Sequence, residues 1–137
     1  MKIHSTNYKN VFIEIADDCP VSASVSPPQK TPKTVAEMQY EMISKKPYKY
    51  TSDDVIFETF ALKNDITDNE KPAARNQFFS KGQACFRSSP LAKRYGFGFH
   101  HNSDGKVAIY PVESAEYQRF LNDENVKKVK AMRSKRA

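Results

Sequence analysis

The chain has no tryptophan, only four glycines and only two cysteines in 137 residues. Two cysteines cannot staple a multi-bridge secreted scaffold, and without a Cys-x-x-Cys pair there is no signature of a structural zinc. Neither Gly-x-Gly-x-x-Gly nor Gly-x-x-x-x-Gly-Lys-Ser/Thr occurs, which sets aside the common nucleotide-phosphate loops. Gly96-Phe97-Gly98 is too short for either and reads as close backbone packing at a strand start. His-Glu-x-x-His and Gly-x-Ser-x-Gly are also missing, so zinc-protease and hydrolase-elbow chemistry are excluded. No run of about 18 apolar residues spans a bilayer, and Met1-Lys2-Ile3-His4 opens no signal-peptide core. A soluble, cytoplasmic protein without membrane association or cofactor is the expectation.

Acid is the other thing missing, and only from one end. From Asn125 onward there are Lys127, Lys128, Lys130, Arg133, Lys135 and Arg136 and no carboxylate side chain, which leaves 16 basic against 16 acidic residues in the body. The net charge of +6 therefore belongs to the C-terminus. Such a stretch can bind nucleic acid by counterion release, but no aromatics interleave there to stack on bases. A solvated basic helix or tail over 126–137, behind a globular domain over 1–125, is the preferred reading. Its only apolar anchor beyond Lys130 is read as Met132, so deleting Lys130 to Ala137 is expected to leave the fold nearly intact.

With 39% apolar residues in 137 the chain makes one domain. Val11 to Ala16 alternates as a strand, with Val11, Ile13 and Ile15 on one face. Ser22 to Pro32 is a proline-rich loop. Thr34-Val35-Ala36-Glu37 has capping-box spacing and predicts a helix to Pro47, with Val35, Met38, Met42 and Ile43 inward. Thr51-Ser52-Asp53-Asp54 caps a further helix in which Val55, Ile56, Thr59, Phe60 and Leu62 suit helical spacing; a strand over 52–64 is the runner-up. Asn69 to Lys81, with Pro72 in its first turn and Gly82 after it, predicts a third helix. Ser89-Pro90 starts a short one that Gly96 ends.

Phe97 to Asn102 and Lys106 to Tyr110 flank Ser103-Asp104-Gly105, a hairpin signal. Phe97, Phe99 and His101 then share a core-facing side with Val107 and Ile109, and His100 projects from the other. Glu113 to Leu121 predicts a helix with Tyr117, Phe120 and Leu121 inward, and Asn122 would cap a last basic helix carrying Val126, Val129 and Met132. The fold class is α+β: a small antiparallel sheet, built from the N-terminal strand and the 97–110 hairpin, covered by several helices.

The stretches His4-Ser5-Thr6-Asn7-Tyr8, Pro47-Tyr48-Lys49-Tyr50-Thr51-Ser52-Asp53-Asp54, Ser80-Lys81-Gly82-Gln83 through Lys93-Arg94-Tyr95-Gly96, Glu113-Ser114-Ala115-Glu116-Tyr117 and Val126 to Arg133 resemble a family of short bacterial proteins known as a domain of unknown function. The resemblance runs nearly full length. It implies a bacterial, single-domain, stand-alone protein, and it brings no activity, cofactor or catalytic residue.

Candidate chemistry gathers between Gln83 and His101. Arg87, Lys93 and Arg94 are cationic, Ser88 and Ser89 offer hydroxyls and a helix start, and His100 follows on the hairpin; such groups hold small anions. This pattern predicts a binding module for a small anionic ligand or partner, and the alternative is a small enzyme using Cys85 as nucleophile or a hairpin histidine such as His100. His4 or His101 with an acid such as Asp17 is the nearest approach to a metal site. Adjacent histidines on a strand point to opposite faces, so no metal is assigned.

Overall fold

Val11–Glu14 forms β1, one of four strands in the computed structural model, which describes residues 4–134. The hairpin forms where Asp104-Gly105 demands it: β2 (Phe97–His101) and β3 (Val107–Pro111) pair antiparallel, and Gly105 takes φ +77° in the turn. β1 lies antiparallel to β2, with Phe12 opposite His100 and Ile13 opposite Phe99. The fourth strand corrects the reading of the C-terminus. Lys127–Lys130 is not a helix but β4, parallel to β1, giving the sheet order β3-β2-β1-β4. Lys127, Lys128 and Lys130 leave β4 with little apolar signal because it is an edge strand, where lysine discourages pairing with other chains. The anchoring expectation is corrected too: Ala131 is buried and gives its amide to Glu14 O, whereas Met132 is 52% exposed. Lys135 and Arg136 lie outside the described residues.

Period-two alternation assigns the two sheet faces. Val11, Ile13, Phe97, Phe99 and Val107 meet α1 (Val35–Lys45), α2 (Ser52–Lys63) and α4 (Pro90–Lys93) in the main core, where Phe86 stacks on Phe99 with ring centres 4.3 Å apart. Phe12 and Gly98 face α5 (Ala115–Asn122), against Tyr117 and, for Phe12, Phe120. The phase expected of the hairpin is the one observed, with Phe97 and Phe99 in the core and His100 on the other side.

Helix α1 is rotated from its expected face. Ala36, Gln39 and Ile43 are the buried row, while Val35, Met38 and Met42 are only partly covered. The Thr34 hydroxyl accepts from Glu37 N, but the Glu37 carboxylate accepts from Lys30 N, so only half of the capping box exists. The full box is at α2, between Thr51 and Asp54. The runner-up strand over 52–64 is excluded, and Leu62 is 62% exposed rather than inward. α2 is covered on two sides: Val55 joins the main core, and Phe57 and Ala61 join Phe79 in a separate cluster.

Helix α3 is shorter than expected, Lys71–Phe78, and Glu70 rather than Asn69 stands at its start. The Glu70 carboxylate is instead held by the amide and hydroxyl of Thr67. α4 matches its signals: Ser89 accepts from Leu91 N, and Gly96 beyond it has φ +82°.

Two of the stretches carrying the family resemblance clasp each other. Thr6 gives its amide and its hydroxyl to Asp53 Oδ1, both at 2.7 Å, Ser5 gives its hydroxyl to Oδ2, and Asn7 Oδ1 takes the Asp53 amide. The N-terminal segment is thereby fastened to the first turn of α2, where the helix dipole also favours the carboxylate. No helix among the described residues is long and apolar enough to cross a membrane.

Candidate functional site

The capped α1, the Phe86–Ser88 turn and the start of α4 meet around a cleft. Its inner part, about 230 Å³, is lined by Gln39, Thr59, Gln83, Cys85, Ser88 and Ser89 among others. It shares Val35, Ser88 and Pro90 with an outer part of about 270 Å³ that adds Thr34, Ala36, Lys93, Arg94 and Tyr95. Gln39 sits 5% exposed, with its oxygen accepting from the Ser89 hydroxyl at 2.5 Å. Its amide nitrogen makes no hydrogen bond among the described residues, although it lines the cleft. The amides of Val35 and Ala36, at the positive end of an 11-residue helix, also have no acceptor among the described residues. The outer part therefore presents two free amides and two cations, and the inner part neutral polar groups.

Five of the expected ligand residues separate here into three in the outer cleft or its wall, one in the inner wall and one outside. Ser88, Lys93 and Arg94 line the outer part, and Ser89 lines the inner. Arg87 lines neither: its Nε donates to Lys130 O at 2.7 Å and ties the turn to β4. The helix start that faces the cations is that of α1, which sequence reasoning did not connect to them because some 50 residues intervene.

Cys85 reaches the inner cleft with its sulfur 3.2 Å from the Tyr8 hydroxyl. Burial and the neighbouring thiol push the Tyr8 pKa up to about 12. The nearest histidine to this pair is His101, whose ring meets Tyr8 edge-on at 5.3 Å and Phe86 at 6.1 Å. His101 is fully buried, neither ring nitrogen has a hydrogen-bond partner among the described residues, and burial lowers its pKa to about 4. No imidazole shares a hydrogen bond with the Cys85 thiol, so the base that a nucleophilic cysteine requires is not beside it. His4 gives its amide to Phe79 O, and Asp17 is paired with Lys130.

His100 belongs to the opposite face. Its Nδ1 shares a hydrogen bond of 2.8 Å with the Tyr48 hydroxyl, which shares another of 2.7 Å with the Tyr110 hydroxyl. Phe120 stacks on the imidazole with ring centres 4.1 Å apart. Tyr48 has φ +61°, a left-handed backbone that costs a bulky L-residue about 1–3 kcal/mol and is held by its amide on Val107 O. Tyr48 and Tyr110 were missed in the sequence, where only the tyrosine-rich stretch around Pro47 hinted at them.

The fold and these sites define a small single-domain α+β protein with a cleft of mixed polar and apolar lining under one face of its sheet. The chain belongs to a family of unknown function (DUF6157), whose model matches residues 3–137. The comparisons with curated proteins and with solved structures returned no match.

Proposed function

We propose that the protein is a binding module for a small anionic molecule, held in the cleft between α1 and the 83–95 segment. The anionic group sits at the outer part, against the amides of Val35 and Ala36 and the side chains of Lys93 and Arg94. The uncharged body reaches inward to Gln39 and Ser89. One observation carries the reading: Gln39, 5% exposed, keeps an unpaired amide nitrogen in a cleft whose other end is cationic. That nitrogen is not sealed from solvent, so a ligand oxygen entering the cleft would replace water on it. The half-buried free thiols of Cys19 and Cys85 suit a reducing compartment, which supports a cytoplasmic location.

Melting curves with inorganic phosphate, sulfate, acetate and citrate test the reading. A ligand at ten times its dissociation constant adds about 1.4 kcal/mol, several degrees in a domain of this size. Lys93→Ala with Arg94→Ala should abolish the rise, and Arg87→Ala should keep it. Equal stabilisation of wild type and the double variant by every anion would refute the site.

A further inference from the structure

We propose that His100 is the proton-accepting group of a second site, on the sheet face opposite the cleft, with Tyr48 and Tyr110 as a hydroxyl relay behind it, and that it acts on small molecules bearing an acidic C–H or O–H. The relay is the geometry already described: imidazole Nδ1, Tyr48 hydroxyl and Tyr110 hydroxyl joined by bonds of 2.8 and 2.7 Å, each of which works with the donor at either end. The other ring nitrogen, Nε2, makes no hydrogen bond among the described residues and is not sealed from solvent as the His101 nitrogens are. Phe120 fixes the plane of the ring, and the left-handed Tyr48 fixes the hydroxyl. A bulky residue kept in that backbone conformation is the kind of strain that gathers at working sites.

Such a chain moves a proton without creating a charge inside it. The substrate's proton passes to Nε2 and its bonding pair stays on the substrate. The Nδ1 proton passes to the Tyr48 oxygen, the Tyr48 proton to the Tyr110 oxygen, and the Tyr110 proton to water. The ring ends neutral in its other tautomer; the start is restored when Nε2 gives its proton to water and the relay runs in reverse, water protonating Tyr110, Tyr110 protonating Tyr48 and Tyr48 protonating Nδ1. Both charged alternatives are disfavoured by burial, which lowers the His100 pKa below 6.5 and raises that of Tyr48. The groups facing the imidazole are Tyr48 from the 46–51 loop, Tyr110 from β3, Phe120 from α5 and Asp123 just beyond that helix, and the Asp123 charge opposes the lowering. The loop that carries Tyr48 also carries Lys46 and Lys49; the Lys46 charge lowers the Lys49 pKa, and neither is in an ion pair with a carboxylate among the described residues. They favour an anion as the product of deprotonation.

The probe is 5-nitrobenzisoxazole, whose C–H proton a base removes while the N–O bond breaks to give a nitrile and a coloured phenolate. The full chain at pH 7 should open it about 100-fold faster than the same concentration of free imidazole, the scale of a positioned general base. His100→Gln should return the rate to background. Tyr48→Phe and Tyr110→Phe each remove one oxygen and keep the ring; both should slow the reaction about tenfold, and Tyr48→Phe should shift the midpoint of the pH–rate profile, which in wild type lies below 6.5. Lys63→Ala, exposed at the end of α2, should change nothing. A rate no faster than imidazole, a rate unaffected by His100→Gln, or a pH midpoint untouched by Tyr48→Phe would overturn the proposal.

Discussion

His101 should make the protein sensitive to mild acid, and replacing it with leucine should remove that sensitivity. The side chain is fully buried, packed on the rings of Tyr8 and Phe86, and both nitrogens lack partners among the described residues. The folded state holds it neutral with a pKa of about 4, against 6.5 in the unfolded chain, and the neighbouring His100 adds to the burial that lowers it. The unfolded state therefore binds the proton first as pH falls. Stability is complete above pH 6.5 and is lost through the interval down to 4. Between pH 7 and pH 5 the loss comes to about 2 kcal/mol, which moves a urea midpoint by about 1 M. Leucine has nearly the volume of histidine and no polar atoms, so relieving the unpaired nitrogens outweighs the aromatic contacts given up, and His101→Leu should match or exceed wild type at pH 7 by about 1 kcal/mol. Urea unfolding of both proteins at pH 7, 6 and 5 reads the difference directly. Parallel losses in the two proteins, or a leucine variant already less stable at pH 7, would refute the reasoning.

Two further outcomes follow from packing. Gly98→Ala places a methyl carbon 2.6 Å from the Phe12 ring and 2.8 Å from the Tyr117 ring, with Ile13 O at 3.0 Å; overpacking of that kind should lower the melting point by about 5–10 °C, and an unchanged value would contradict the close approach of α5. Deleting residues 130–137 removes the buried Ala131, its bond to Glu14 O, the Met132 to Arg87 bond, the Arg87 Nε to Lys130 bond and the Lys130–Asp17 pair. Calorimetry should show a melting point lower by more than about 8 °C, and a smaller change would mean that β4 only decorates the sheet.

The hairpin was legible because Asp104-Gly105 sits between strict alternations, and the cap at Ser89 because proline follows it. α2 nearly read as a strand: Val55, Phe57, Thr59 and Ala61 are all buried, an alternation produced by covering a helix on two sides. β4 was read as a helix because Lys127, Lys128 and Lys130 mask the one partner it needs, β1, which is more than 100 residues away. The same distance limits the sites. Lys93, Arg94 and Ser88 were visible as residue types, and so was the need for a helix start, but only the fold supplies α1 in place of α4 and sends Arg87 to a β4 carbonyl. His100 stood out as a histidine; its Tyr48 partner depends on a left-handed backbone that no local pattern announces.

The cleft is the centre of the functional account, and an amide-resolved NMR titration with inorganic phosphate tests it most directly. The backbone amides of Val35, Ala36 and Lys93 should move together along one saturable curve, with the Gln39 side-chain amide moving on it if the anion reaches the inner part. Arg87 and His100 should stay in place. Shifts centred on Arg87 or on β4, or no saturable shift at Val35 and Ala36, would contradict the account.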